Sequence, residues 1–281
     1  MALEKTRDIL RHAHENNYGV AAFNVFNYET IHLAIRQAEA LGKPIIIGFY
    51  PGWRSFIGLE TVAAIAKASA RDVKVPIGLH LDHCQDFAVI MQAMHVGFLS
   101  VMYDGSSLPF DENVKNTKEV VKAAAALDIG VEAELGAVGS ASKVEDFADA
   151  SKFTGVTQAR EFYEQTRCHS LAVAVGNAHG NYVQEPKLDL PRIKAISQAT
   201  GIPLVLHGGS GIPDAQVKEA VKCGIAKMNV ATEYHHAYYR AVENYMKPGV
   251  RRCMYSCSKA VQPEICEFLT YKINLLNGGV S

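Results

Sequence analysis

The sequence predicts a (β/α)8 TIM barrel with extra C-terminal helices, with residues 1–281 forming a single domain. Three observations carry this reading. Eight short apolar runs recur along the chain, longer amphipathic stretches separate them, and polar residues gather at the C-terminal ends of the runs. Runs that are apolar on both faces are what a buried parallel sheet requires. Repeated βα units in an unbroken chain close into a barrel, and barrel enzymes carry their chemistry on the C-terminal face of the strands.

The eight runs begin with Val20 to Val25, Pro44 to Gly48, Ile77 to Asp82 and Phe98 to Asp104. Val131 to Glu134, Ser170 to Val175, Pro203 to His207 and Ala226 to Val230 follow. Between them, Tyr28 to Ala40 reads as a helix, with Ile31, Ala34, Ile35 and Ala38 on one face. Thr61 to Ala70, Asn116 to Leu127 and Asp214 to Cys223 read the same way. After Val230, Tyr234 to Tyr245 and Pro263 to Leu275 are the extra helices, which close the barrel or join a partner subunit. No linker or low-complexity segment divides the chain.

Bulk properties narrow the function. With 281 residues, 48% of them hydrophobic, the chain supports a large core. A formal net charge of -1 gives no electrostatic reason to expect nucleic acid or an acidic membrane as partner. The charged start, Glu4-Lys5-Thr6-Arg7-Asp8, lacks the apolar stretch of a signal peptide, and no run is long enough to span a bilayer. A cytoplasmic location is therefore expected. The six cysteines show no CxxC pairing and read as reduced, packed thiols.

Polar residues at the strand ends are Asn24, Asp82, His83, Asp104, Glu132, Glu134, His179, His207 and Asn229. Three of them are histidines in tight polar clusters: Leu81-Asp82-His83, Asn177-Ala178-His179-Gly180, and Leu206-His207-Gly208-Gly209-Ser210-Gly211. They are far apart in sequence, so only a fold can unite them. Three imidazoles with an open fourth position make a catalytic zinc site. A lone histidine at a strand end is more often a polar cap, but three in such contexts favour metal. Two of the clusters also carry the glycines and hydroxyl that a phosphate needs, which points to a metal-dependent enzyme acting on a sugar phosphate.

Six segments, in order, resemble the class II, zinc-dependent ketose-bisphosphate aldolases, and in particular the branch that includes the tagatose-bisphosphate aldolases. They are Leu79 to His83, Ser100 to Ser106, Val131 to Gly136, Ala178 to Gly180, Leu206 to Gly211 and Asn229 to Glu233. The resemblance implies that His83, His179 and His207 bind Zn2+, and that Asp82 is the acid/base at the aldehyde oxygen. The bland alternative for Asp82 is support of a neighbouring histidine. Asp104 and Glu134 resemble positions that bind a second, exchangeable divalent ion or support the first, against a salt-bridged barrel interior. Asn24, Gly180, Gly208, Gly209, Ser210, Asn229, Val230, Ala231 and Thr232 resemble the substrate and phosphate site, which a monovalent cation (Na+ or K+) often accompanies. Glycine lets a backbone approach closely, and exposed N–H groups with hydroxyls bind the anion.

The implied reaction is reversible cleavage of a ketose phosphate to dihydroxyacetone phosphate and an aldehyde such as glyceraldehyde 3-phosphate. Tagatose 1,6-bisphosphate is the first substrate expected and fructose 1,6-bisphosphate the second. Another phosphorylated ketose or keto-acid is the alternative. A homodimer or homotetramer is expected, with the apolar residues Ile265, Phe268, Leu269 and Ile273 as a surface for it.

The chain departs from the family pattern in places. The loop after the Glu-Leu-Gly segment reads Gly139-Ser140-Ala141-Ser142-Lys143-Val144-Glu145-Asp146. Its second glycine is replaced and its acidic pair displaced, leaving Glu145 as first and Asp146 as second candidate for the base that exchanges the carbon-bound proton. Cys84 follows His83, but adjacent residues of an extended strand point opposite ways, which favours a structural thiol over a fourth ligand. Ala231 suits the tagatose type. Tyr234-His235-His236 stands where an arginine or lysine commonly holds the far phosphate, so Arg240, Arg251 or Arg252 inherits that role, or the far group differs. Two rival readings remain: a lysine Schiff-base enzyme using Lys227, and a phosphate-binding barrel that lost catalysis.

Overall fold

The computed structural model describes residues 3–136, 138–246, 249 and 253–278. Strands β1 (Leu3–Glu4), β2 (Val20–Asn24), β3 (Ile45–Phe49) and β4 (Ile77–Cys84) precede β5 (Ser100–Tyr103) and β6 (Gly130–Leu135). β7 (Ser170–Val173), β8 (Leu204–Leu206) and β9 (Ile225–Val230) complete the set. β2 to β9 pair in sequence order, all parallel, and β9 pairs back onto β2, closing an eight-stranded barrel. Every expected strand is present, because each is buried between the barrel interior and a surrounding helix layer.

Helices Tyr28–Leu41, Leu59–Ser69, Phe110–Ala126 and Asp214–Lys222 match the expected ones to within a turn or two. The first is started by Asn27, whose Oδ1 accepts from Thr30 N at 2.9 Å while Thr30 Oγ1 accepts from Asn27 N. It ends at Gly42 with φ 66°.

The N-terminal segment holds structure that the apolar pattern did not announce. The short β1 pairs with the first residues of β4, and helix Thr6–Glu15 follows it. Ile9, Leu10 and Ala13 of that helix cluster with Val20, Ala22, Ile46 and Ala226, sealing the end of the barrel where the strands begin. The open end is therefore the C-terminal one.

The C-terminal helix Gln262–Asn277 corrects one expectation. Ile265, Leu269 and Ile273 are buried within this chain, and Phe268 stacks on Tyr234. The helix packs on Tyr28–Leu41, Thr232–Tyr245 and β2. Ile265, Leu269 and Ile273 are thus used up inside the subunit, and of the four residues only the half-buried Phe268 reaches the surface.

Candidate active site

The barrel opens into a cavity of about 670 Å³ at the C-terminal ends of the strands. Asn24, Asp82, His83, Asp104, Glu134 and His179 line it, together with Gly180, Gly208, Ser210, Asn229, Ala231 and Thr232. His207 lies fully buried beneath, its ring 4.3 Å from that of His83.

Asp82 and His83 are neighbours in β4, yet both reach this cavity. A regular strand would turn one of them away. His83 has φ 44°, and the pairing of β4 with β5 shifts register between Leu81 and Cys84. That bulge swings His83 inward and returns Cys84 to the outer core. The Cys84 thiol donates to Asp86 O at 3.5 Å, burial raises its pKa, and although Cys84 also lines the cavity it is not grouped with the three histidines.

One potential ligand atom from each of His83, His179 and His207 lies within 4.8 Å of the others. His83 Nε2 faces His179 Nε2 at 3.1 Å. The other nitrogens are committed. His83 Nδ1 lies 3.0 Å from Asp104 Oδ2, and His207 Nε2 lies 2.8 Å from Glu132 Oε1. This leaves Nε2 of His83 and Nδ1 of His207 as the nitrogens not held by a carboxylate; Nδ1 of His207 lies 3.2 Å from Asn229 Nδ2, which a metal would displace, and each ring is oriented by a carboxylate behind it, as in metal sites. Desolvation, reinforced by His83 and His207, pushes the His179 pKa down to about 3, and burial also lowers His207. Neutral imidazoles are what zinc takes. Burial works against a charged His83, but Asp82, the hydrogen bond to Asp104 and Glu134 outweigh it and raise the pKa to about 9.

Asp82 makes no hydrogen bond to a histidine. Its Oδ2 accepts from Asn24 Nδ2 at 2.7 Å and its Oδ1 from Asn229 Nδ2 at 2.9 Å. Burial opposes its ionisation, but His83, His207 and Lys227 hold the pKa well below the usual carboxylate range. Asp104 has both oxygens occupied, Oδ2 by His83 and Oδ1 by the Ser106 backbone and hydroxyl. Burial also opposes ionisation there, and those hydrogen bonds bring it to about 2. Glu134 differs. Burial and the Asp104 charge raise it to about 8, and its Oε2 is buried without a hydrogen-bond partner, 3.8 Å from His83 Nδ1. An orphaned buried oxygen beside a histidine cluster fits a nearby cation.

Glu132, on the same face of β6, is the barrel-interior residue that the bland reading anticipated. Lys227 Nζ donates to both its oxygens, at 3.0 and 2.8 Å, and neither residue is accessible. Lys227 does not line the cavity, so the lysine that the Schiff-base reading needed is locked in an ion pair below it.

The glycine-rich side is built for close approach. Gly208 has φ 62°, and a Cβ there would lie 2.0 Å from Ala178 O. Tyr182 Oη accepts from Ala178 N at 2.7 Å and donates to Gly208 O at 3.1 Å, tying the two loops together. Helix Thr232–Tyr245 begins here without a cap from Ala231; Glu233 N donates to Ser210 Oγ at 3.2 Å, and the helix N-terminus points its remaining first-turn N–H groups at the cavity side. Gly209 and Val230 do not line the cavity. Val230 packs in the outer core, because alternation along β9 turns Asn229 inward instead.

The loop after β6 pairs with the site through its backbone: His179 N donates to Gly139 O and Ala141 N to His179 O, both at 2.9 Å. Glu145 lies beyond, exposed on helix Val144–Ala148 and outside the lining. Asp146 is tied to Lys152 Nζ at 2.8 Å and accepts from Ser140 N. His235 faces a separate aromatic pocket with Phe26, Trp53 and Tyr238, and Arg240 lines another beside Glu233 and Glu243. Arg251 and Arg252 lie outside the described residues. Arg54, Trp53 and Tyr50, which follow β3 and line the cavity, were not singled out in the sequence. They sit in a turn with no periodic or motif signal.

Residues 4–278 match the family described as fructose-bisphosphate aldolase class-II. Among solved structures, the YdjI aldolase from Escherichia coli K12 is 36% identical, with TM-score 0.88 over 99% of this chain and 98% of that one. A putative fructose-1,6-biphosphate aldolase from Coccidioides immitis is 29% identical, with TM-score 0.86 over 97% and 96%. Fructose-bisphosphate aldolase from Campylobacter jejuni shares the fold at 21% identity, with TM-score 0.83 over 98% and 96%. The chain belongs to the class-II fructose-bisphosphate aldolase family and is an aldolase, a lyase.

Proposed function

We propose that this aldolase uses zinc to cleave a ketose 1-phosphate or 1,6-bisphosphate reversibly to dihydroxyacetone phosphate and an aldehyde. Tagatose 1,6-bisphosphate is the first candidate and fructose 1,6-bisphosphate the second, both giving glyceraldehyde 3-phosphate. A phosphorylated keto-acid or a ketose with a different far end suits the same machinery. One observation carries the reading. Three imidazoles converge beside an ionised Asp82, in a cavity whose far wall ends in the N-terminus of helix Thr232–Tyr245.

His83, His179 and His207 would hold the zinc, with Asp104 and Glu132 orienting two of the rings. Bound there, zinc supplies Lewis acidity toward the ketose carbonyl and the hydroxyl next to it. The 1-phosphate sits at Gly180, Gly208, Ser210 and the first turn of helix Thr232–Tyr245, where backbone N–H groups and the helix dipole receive it. A carboxylate oxygen of Asp82 takes the proton of the hydroxyl that becomes the aldehyde, and returns it in condensation. Asn24 and Asn229 hold that carboxylate in place. Glu145 is our assignment for the base at the carbon-bound proton, and it requires the loop after Gly139 to fold over the cavity. Glu134, with its unpartnered oxygen, is our assignment for a second divalent ion, and a monovalent cation accompanies the phosphate. We place the protein in the cytoplasm as a homodimer or homotetramer. No helix among the described residues is long and apolar enough to cross a membrane.

The test is aldol cleavage of tagatose and fructose 1,6-bisphosphates after EDTA treatment, with and without added zinc. Zinc-restored cleavage of either supports the reading. Zinc binding without cleavage of any phosphorylated ketose favours a binding barrel and overturns it.

A further inference from the structure

We infer that Arg54 determines specificity by holding a second anionic group, carboxylate or phosphate, at the end of the substrate remote from the 1-phosphate. The inference rests on the aldolase reading above and goes on to the substrate's far end.

Arg54 follows β3 through the single turn Pro51–Trp53 and lines the cavity. Among the described residues it is the sole arginine or lysine that lines the cavity. Its Nη1 donates to Pro51 O at 3.2 Å, and among the described residues it has no acidic partner. Arg54 is exposed at the cavity, and Nη1 is the one guanidinium donor with a protein partner among the described residues.

Of the acids around the cavity, Glu134 is buried beside His83 with one oxygen unpartnered, and the other three are engaged. Asp82 is held by two asparagines, Asp104 by His83 and Ser106, and Asp86 caps its own helix by accepting from Ala88 N at 2.8 Å. None neutralises Arg54 through a direct ion pair. An uncommitted guanidinium at a substrate cavity is a fork for an anion, and its planar donors fit carboxylate and phosphate equally.

Barrel topology fixes which end of the substrate it would meet. With β2 to β9 in order around the ring, β3 stands across from β7 and β4 across from β8. Gly180 follows β7, and Gly208 and Ser210 follow β8. Arg54 is thus across the ring from Gly180, which follows β7, and the helix start after β9 is two strands from β3; of the three histidines, His83 is on the neighbouring strand β4, and His179 and His207 are on the cradle side. A substrate with its 1-phosphate in the cradle and its reacting carbons at the histidines points its other end at the β3 side. Of the sequence-based candidates, Arg240 and His235 line other pockets, and Arg251 and Arg252 lie outside the described residues.

The experiment compares zinc-loaded wild type, Arg54→Met and Arg54→Lys on three kinds of substrate. These are ketose 1,6-bisphosphates, a ketose 1-phosphate ending in a carboxylate, and a ketose 1-phosphate ending in a neutral hydroxyl. Wild type prefers a doubly anionic substrate, and the two anionic arms tell phosphate from carboxylate. Arg54→Met lowers kcat/KM for the preferred one by about 10–100-fold, mainly through KM, and changes the neutral-ended substrate by less than about threefold. Arg54→Lys recovers part of the loss. Arg54 is exposed, so these variants keep the fold. Equal losses on all substrates, or wild-type preference for the neutral end, overturn the inference. Exchange of the dihydroxyacetone phosphate proton with solvent separates the two failures. If exchange proceeds while selectivity ignores Arg54, only this inference falls; if wild type shows no exchange, the aldolase reading falls with it.

Discussion

Lys227 and Glu132 form an ion pair with no solvent access, and the same carboxylate holds Nε2 of His207 at 2.8 Å. A residue of β9 thereby sets the charge state of a residue of β6 that orients a candidate metal ligand after β8. Burial opposes a charged Glu132, but Lys227, His80 and the hydrogen bond from His207 hold its pKa well below normal.

Lys227→Met should therefore destabilise the fold. It strands a buried carboxylate, which costs about 3–5 kcal/mol in a denaturant titration. Glu132→Gln in the same chain should restore part of that stability, because the uncompensated charge is gone. In the wild type, borohydride with substrate should trap no adduct at Lys227; a covalent adduct would revive the Schiff-base route.

His83→Ala and His207→Ala should each lose zinc, read by metal analysis after dialysis, and lose cleavage with it. A fully active, zinc-free His207→Ala enzyme would exclude the triad as the metal site.

Asp82→Asn tests the acid/base. It should keep zinc and phosphate binding while kcat falls about 10²–10⁴-fold. A fall in zinc content instead would make Asp82 a support for the site. In parallel, Glu145→Gln should slow proton exchange on dihydroxyacetone phosphate more than Asp146→Asn does, since Asp146 is already paired with Lys152. The reverse order would move the assignment.

Stability should depend on both pH and metal. In the metal-free protein the His83 pKa stands at about 9 against an ordinary 6.5. A raised pKa contributes stability below the ordinary value, and that contribution is lost as pH climbs through the raised one. The metal-free melting temperature should thus fall between pH 6.5 and 9. Zinc needs the deprotonated ring, so its stabilising effect should grow across the same interval. A zinc effect that shrinks as pH rises would contradict this placement of His83.

Much of this architecture was legible beforehand. The strands were visible because double-sided burial leaves apolar runs, and the histidines because each sits where such a run stops. The helix Thr6–Glu15 was not visible: it presents only a narrow apolar face to the barrel floor. The turn at His83 was hidden too, since nothing local in Leu81-Asp82-His83-Cys84 announces φ 44°. Pairing across the barrel, such as Lys227 with Glu132, depends on register between distant strands. The stripe Ile265, Leu269 and Ile273 was visible as apolar, but periodicity does not say what covers it; here the chain itself does.

The most direct single measurement is exchange of the carbon-bound proton of dihydroxyacetone phosphate in deuterated water, followed by NMR, for the zinc-loaded protein beside His207→Ala. Zinc-dependent exchange of one proton, absent in the variant, is the predicted result. Bound zinc with no exchange, or exchange that survives in zinc-free His207→Ala, would contradict the claim that the three histidines form the centre of the aldol chemistry.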